Sequence, residues 1–403
     1  MTSHPNPQSQ AGRPAWSVSL ARTEEQVEDL RACWTGLDGS RHLDIDFFLV
    51  VLRQRAAIIR PHVLLLSRNG RPATLLVARI EDVPIPIRFG YWTICRPRMR
   101  RLVVHHGGIL GNSEDEPVRL LWEELKQALR RREAQMLHFN GIRTDSSFYR
   151  HVREDTPWFR RDWKPGVEPH WQIVVPQEYE TFHASRSKNV RRNISRCASR
   201  IRREFGDEAV LRVFREESEI DRIMADAEAV AAKSYLRGLG VGFMPTQENR
   251  LRLQLASREG ALRAYFLYFR NVPAAFILGR AAGERLHLNF TAHDAEFEYF
   301  SPGAYVMVQI IRDACRDPGI RFIDFGFGDA LYKRNYCNDK WMEVFPVVYA
   351  ARPYCILLNV LRGTNAVVAG LAQRQLERLG IVQRVKKAWR TRIRRQVGRA
   401  QHS

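Results

Sequence analysis

Residues 63–80, VLLLSRNGRPATLLVARI, set two apolar runs around an Asn69-Gly70 pair, and residues 263–280, RAYFLYFRNVPAAFILGR, repeat the plan. Asn-Gly between apolar runs is a strong short-range hairpin signal, because both central residues of the favoured turn need a positive φ. In the second copy the turn falls at Arg270-Asn271, followed by Pro273-Ala274. Asn69 and Asn271 lie 202 positions apart, half the length of the 403-residue chain. The segments after the two hairpins also correspond. LVVHHGGIL, a helical stretch from about Glu116 to Arg132 and the strand QMLHFNG in the first half answer to RLHLNFTAHD, a helix from Pro302 to Arg316 and the strand IRFIDFGFG in the second. The spacing predicts either two copies of one α/β unit or two hairpins alike by chance; duplication is the simpler account.

At roughly 150 residues per domain the length accommodates two or three domains. The boundaries read as 15–165, 166–356 and 357–403. Pro157, Pro165, Gly166, Pro169 and Pro176 mark the connection, where regular structure is expected to break up. An apolar content of 45% is that of a globular protein and excludes disordered and collagenous classes. Met1 to Pro14 is polar and Pro-rich and does not read as a secretory signal. No apolar run is long enough for a membrane span. The six cysteines are scattered, which fits reduced cytosolic thiols better than disulfides or zinc.

The net charge of +20 is concentrated. Arg186 to Arg203 holds eight basic residues and no acid, and Arg362 to the C-terminus holds eleven with Glu377 as the one acid. Within residues 185–206, Val190, Ile194, Cys197, Ile201 and Phe205 form one apolar stripe at helical spacing, with Gly206 as a natural C-cap. The arginines on the remaining faces are either a solvated surface or a seat for an anionic ligand. The tail from Leu357 reads as a membrane-surface amphipathic helix or a polybasic disordered segment.

Two further stretches could carry chemistry. Ser301-Pro302-Gly303 offers an N-cap, a helix-initiating proline and a glycine that would let a phosphate approach free N–H groups; the plain alternative is a well-capped helix. In IRFIDFGFGD, Asp324 sits on a strand that reads as buried, which is costly unless it is paired or working. Asp329 could cap the following helix, with Lys333 a turn away, so a structural Asp–Lys pair is the competing reading. The first-half strand ends in His138-Phe139-Asn140-Gly141, lacking this Asp and Lys, so the chemistry is expected in the second half and scaffold in the first. His105 and His106 are adjacent, would point to opposite faces of a strand, and make poor joint ligands. No P-loop, dinucleotide fingerprint, nucleophile elbow or H-E-x-x-H motif is present.

The basic helix SKNVRRNISRCASRIRREFG, the hairpin, Tyr299-Phe300-Ser301-Pro302-Gly303 and Asp324-Phe325-Gly326-x-Gly328-Asp329 with Tyr332-Lys333 together resemble the CelD-like acyltransferases of the GNAT superfamily, relatives of the FemAB peptidoglycan aminoacyltransferases. The resemblance spans about residues 170–350 and, more faintly, 15–170. It implies an α/β fold of tandem GNAT-like domains with mixed sheets, plus a basic helical C-terminal tail. It also implies an acyl-CoA, acetyl-CoA or longer, as donor and no metal. Ser301, Gly303 and Ala304 correspond to the diphosphate-binding turn, though without the usual Arg/Gln-x-x-Gly-x-Gly/Ala form. Lys333 matches a position where the relatives' lysine meets substrate phosphate.

The expected activity is acyl transfer to an amine or hydroxyl of an acidic, sugar-type or phosphorylated acceptor, in envelope or exopolysaccharide biosynthesis of a bacterium, in the cytoplasm or at the inner membrane face. Asp324 or Asp329 would orient or deprotonate the acceptor, Tyr332 protonate the leaving thiolate, and Lys333 with Arg191, Arg192 or Arg196 hold an acidic acceptor. Two competing readings are transfer from aminoacyl-tRNA, with the basic helix on the RNA backbone, and a non-catalytic polyanion- or membrane-binding module.

Overall fold

The computed structural model describes residues 15–39, 43–89, 92–234, 237 and 242–378. The polar N-terminal stretch Met1 to Pro14 and the most basic part of the tail, 379–403, lie outside the described residues.

The first half is built on β1 (Trp16–Ala21), β2 (Ile58–Arg68), β3 (Arg71–Pro84), the small ribbon β4 (Ile87–Phe89) and β5 (Trp92–Cys95), β6 (Arg98–Gly111), β7 (Met136–Phe139) and the short β8 (Ile142–Arg143). The second half has β9 (Gly166–Val174), β10 (Ala209–Phe214), β11 (Leu262–Phe269), β12 (Val272–Ala282), β13 (Arg285–His293), β14 (Phe322–Phe327), β15 (Asp339–Phe345) and β16 (Val347–Tyr349). One sheet runs β1-β2-β3-β6-β7-β16, the other β10-β11-β12-β13-β14-β9-β15-β8. The duplication is therefore physical: β1-β2-β3-β6-β7 and β10-β11-β12-β13-β14 share one order, each antiparallel until a final parallel pair, β6–β7 or β13–β14. Each parallel pair is joined by a helix, Asp115–Arg130 in the first half and Pro302–Arg316 in the second. The fold is thus tandem GNAT-like, with mixed sheets.

Strand alternation sorts the apolar residues onto both faces. Leu64, Leu66, Leu76 and Ala78 join one core while Val63, Leu65, Leu75 and Val77 join another. Tyr265, Leu267 and Ile277 divide from Phe266, Phe276 and Leu278 in the same way. Burial on both faces explains why these strands read as unbroken apolar runs. Both hairpin turns take positive φ at the two central residues, Asn69 and Gly70 in one, Arg270 and Asn271 in the other.

The halves exchange strands. β8 pairs with β15, and β16 returns to pair with β7. Helix Ile45–Gln54 packs on helix Gln247–Arg258, reinforced by Arg55 donating to both oxygens of Glu248 at 2.8 and 2.9 Å.

The expectation that prolines 157–176 exclude regular structure is not met, because β9 lies there. Pro169 is tolerated because β14 pairs with β9 only as far as His170, so its missing N–H faces no strand, while its carbonyl still accepts from Gly328 at 3.0 Å. The basic helix forms over Lys188–Phe205, with Ser187 accepting from the Val190 N–H at its start. Ile194, Cys197, Ile201 and Phe205 are buried, and Gly206 caps the end at φ 50°. Toward the C-terminus a helix spans Pro353–Arg378, leaving Leu357, Leu361, Val367 and Val368 exposed. No helix among the described residues is long and apolar enough to cross a membrane. All six cysteines are free.

Candidate active site

β13 and β14 are hydrogen-bonded in parallel over three register pairs only, the last being His287 with Asp324. Beyond that point β13 stays with β12 and β14 with β9, so the two strands part like a fork. In β13 the register slips just past the fork point, Leu278 facing Phe290 and Gly279 facing Leu288, which leaves Asn289 as a bulge. Such bulges re-aim backbone groups out of the ladder.

Asp324 is 7% exposed and fully engaged. Its Oδ1 accepts from His170 Nε2 at 2.7 Å and from the Gly326 N–H at 2.7 Å. Its Oδ2 lies 3.3 Å from His287 Nδ1. Gly326 itself takes a positive φ of 68°, which turns the chain after that contact and favours glycine there. His170 continues the network, its Nδ1 lying 3.0 Å from Glu343 Oε1. Glu343 in turn meets His106 Nε2 at 3.1 Å and accepts from Trp341 Nε1 at 2.9 Å. The His170 ring is stacked between Trp341, 4.3 Å away, and His106, 5.5 Å away.

Burial disfavours the charges on His170, Asp324 and Glu343, yet the pairings prevail. Burial pulls the His170 pKa down, but Asp324 and Glu343 raise it to about 9. Burial pushes both acids up, and the imidazoles hold both well below the usual carboxylate range, His170 and His287 acting on Asp324, His106 and His170 on Glu343. Removing one member of a buried pair strands the other, at a cost of about 3–5 kcal/mol.

The cluster lines a cavity of about 710 Å³ between the two halves, bordered by His287, Leu288 and Asn289 of the fork, by Asp324, and by His105 and His106 of the first half. Arg143, Arg252, Arg280 and Arg285 also face it.

The residues singled out from sequence divide. Asp324 is in this cavity. Lys333 is buried but donates to the carbonyls of Gly326 and Phe327 at 3.1 and 2.7 Å, holding the glycine turn from behind. Asp329 is ion-paired with Arg334 rather than Lys333, and helix Leu331–Tyr336 has Ala330 at its N-cap with no side-chain cap. Tyr332 is partly exposed, its ring 6.2 Å from Phe325. None of these three lines the cavity.

Ser301 takes the left-handed conformation at the start of helix Pro302–Arg316. A Cβ on Gly303 would come no closer than 4.0 Å to His293 Nδ1. Ala304 borders a separate groove of about 370 Å³ between this helix and the basic helix, shared with Arg202 and Arg312. Ala304 and Asp324 thus face different cavities. The basic helix sits across the helix start: Cys197 Sγ donates to the Phe300 carbonyl at 3.1 Å and Arg200 to that of Tyr299 at 3.0 Å. Arg192 and Arg196 are exposed, Arg191 donates to the Ala184 carbonyl at 2.9 Å, and all three lie away from the cavity between the halves.

His106, His170, His287 and Glu343 escaped the sequence reading. His170 lies in the proline-marked stretch read as a connection. His105 and His106 diverge as adjacent residues, at the point where β6 leaves its ladder between Val104 and Ile109. His106 therefore reaches Glu343 while His105 packs against Phe48. The first half is accordingly more than scaffold, since it supplies a member of the cluster.

Residues 188–334, from the basic helix to the turn beyond Asp324, match the model of the acetyltransferase (GNAT) domain. The second half carries a GNAT-superfamily domain, and the protein is an acyltransferase. Among solved structures, FemX superposes with a TM-score of 0.55 at 10% identity, covering 83% of this chain and 98% of its own, which marks a FemAB-like relation in fold. The C-terminal domain of a putative lysylphosphatidylglycerol synthetase from Agrobacterium fabrum gives 0.49 at 13% identity, covering 85% and 97%. A tandem GNAT protein from the clavulanic acid biosynthesis pathway gives 0.44 at 12%, covering 84% and 99%. A search of curated protein sequences finds no match.

Proposed function

We propose that the protein transfers an acyl group from an acyl-CoA to an amine or hydroxyl of an acidic or sugar-type acceptor, as a CelD-like enzyme would. The observation that carries the reading is the fork at His287 and Asp324, opening beside the bulged Asn289 into a cavity lined by four arginines. The thioester arm enters between β13 and β14, and backbone N–H groups at the bulge stabilise the oxyanion of the tetrahedral intermediate. The acceptor approaches from the cavity between the halves.

His287 is the general base. A carboxylate behind an imidazole fixes its tautomer and stabilises the imidazolium that forms, and Asp324 stands 3.3 Å from His287 Nδ1. Asp324 is assigned the orienting role, since a carboxylate held so far below its usual range is a weak base. Arg252 and Arg280 are the side chains we assign to an anionic group on the acceptor, in place of Arg191, Arg192 and Arg196. The carrier's phosphates are assigned to the groove at Ala304, where Arg202 and Arg312 supply positive charge. Ser301 and Gly303 then act through the helix start rather than as side-chain ligands.

The test is release of free thiol from acetyl-CoA and longer acyl-CoAs in the presence of amino sugars and other amines. Turnover that depends on His287 and Asp324 supports the assignment. Thiol release unchanged in both His287→Ala and Asp324→Ala, with fold retained, would remove the fork from the reaction. Saturable, salt-sensitive tRNA binding without any response to an acyl-CoA would instead favour an aminoacyl-tRNA donor.

A further inference from the structure

We propose that His106, His170 and Glu343 form a binding site for a single divalent metal ion of the zinc type, assembled from both halves of the chain. The three side chains present one ligand atom each, His106 Nε2, His170 Nδ1 and a Glu343 oxygen, all within 4.8 Å of one another. The carboxylate lies 3.1 Å from the first nitrogen and 3.0 Å from the second, separations of the order found between neighbouring ligands around a tetrahedral ion.

Four observations separate this arrangement from an ordinary buried ion pair. First, His170 is 2% exposed, and its Nδ1 has no hydrogen-bond partner in acceptable geometry, although Glu343 is close. A buried, orphaned ring nitrogen aimed at a carboxylate needs a further atom to satisfy both. Second, the other nitrogen of the same ring is committed to Asp324 at 2.7 Å. That contact holds the ring from its far side, so an ion at Nδ1 would take the place of the proton there, the carboxylate–histidine–metal pattern of supported metal sites. Third, Trp341 Nε1 donates to Glu343 Oε1 at 2.9 Å, fixing the carboxylate, so the second ligand is also held from behind. Fourth, the backbone at Gly141 packs directly against two of the ligands and holds them in place. A Cβ on Gly141 would come within 2.8 Å of His106 Cδ2 and 2.9 Å of Glu343 Oε2, and the φ of 87° there favours glycine as well.

Two imidazoles and one carboxylate are the donor set of an open zinc site, with a fourth position for water or substrate. All three residues border the cavity between the halves, so that position would face the approaching acceptor and would take an oxygen ligand such as a hydroxyl, carboxylate or phosphate. The two carboxylates that flank His170 favour positive charge at this point, and a dication supplies it in place of a proton. The site departs from the sequence expectation of no metal. It was invisible there because its ligands come from β6, β9 and β15, separated by 64 residues at the nearest and sharing no spacing motif.

This inference stands on the ligand geometry and not on acyl transfer, and its test reads binding alone. The full-length protein is stripped with a chelator and titrated with Zn²⁺ against a competing chromogenic chelator, then with Co²⁺ followed by visible absorption. We expect about one equivalent per chain, a rise in melting temperature on metal addition and the intense visible bands of four-coordinate Co²⁺. His106→Ala should abolish tight binding, and His105→Ala, beside it but outside the ligand set, should leave it intact. Trp341→Phe keeps all three ligands and should weaken Zn²⁺ affinity by about 10-fold or more through loss of the hydrogen bond to Glu343. Far less than one equivalent in the wild type, or affinity undiminished in both His106→Ala and Trp341→Phe, overturns the site. Zinc retained with thiol release absent would leave this inference standing and count against the acyl-transfer reading.

Discussion

The two forks of this molecule share a backbone and differ in what they could do. In the second half the last couple before the strands part is His287 and Asp324; in the first it is Val104 and Phe139. An acid–base pair at one fork is replaced by hydrocarbon at the other. The helices beyond the two forks differ as sharply. Helix Pro302–Arg316 starts from Ser301-Pro302-Gly303 with no acid in its first turn, whereas helix Asp115–Arg130 starts with Glu114, Asp115 and Glu116. Carboxylates at a helix N-terminus use up its positive end and repel an anionic carrier, so the first fork is closed to a diphosphate by charge. Under the proposed function, one copy of the duplicated backbone carries the reaction centre and the other contributes His106 to the cluster beside it.

The largest expected effect tests the acid–base difference. His287→Val, which copies the first-half residue, should lower kcat by about 10²- to 10⁴-fold, the range for loss of a general base, with a smaller loss of stability than at Asp324, because Asp324 keeps His170 and the Gly326 N–H. Steady-state kinetics beside thermal unfolding check it. Asp324→Asn should also be slow and, in addition, unstable, because His170 and His287 lose a charged partner; a loss of about 3–5 kcal/mol in denaturant unfolding is expected. A stable, inactive Asp324→Asn would show that the network is catalytic without being structural.

The carrier side gives a smaller effect. Ala304→Glu carries the first-half charge into the second half and should raise the KM for acyl-CoA about 10-fold at low salt, less at high salt. Arg202→Ala should act in the same direction, and Arg192→Ala, on the exposed face, should not.

The smallest effect concerns pH. In the first half His62 is buried and His138 half-buried, and desolvation lowers each to about 4 from a usual 6.5. The folded state keeps them neutral while the unfolded chain takes up protons below about pH 6.5. Their contribution is therefore full above that pH and falls as pH drops from 6.5 toward 4, each histidine contributing a slope of up to about 1.4 kcal/mol per unit. His62→Gln should flatten part of that slope in denaturant unfolding at pH 7 and pH 5.

Much of this architecture was legible because it is written locally. The Asn69-Gly70 turn, the apolar stripe from Val190 to Phe205 with Gly206 behind it, and Ser301-Pro302-Gly303 each announce an element from neighbouring residues alone. Asp324 was legible for a different reason, as a carboxylate on an apolar strand that demanded a partner. Its partners were not, since His170 and His287 reach it through register between strands distant in sequence, with Glu343 beyond His170. Pro169 hid β9, and the partner of His106, Glu343, lies 237 residues away in sequence. Lys333 and Asp329 looked like one pair by helical spacing, yet each found a nearer partner, the turn carbonyls for one and Arg334 for the other.

The most direct measurement is a crystal structure of the full chain with coenzyme A. The account predicts the pantetheine arm between β13 and β14 with its sulfur beside His287 and its phosphates toward Ala304 and Arg202. Coenzyme A seated at the β6–β7 fork, or on the protein surface with the β13–β14 fork empty, would contradict it.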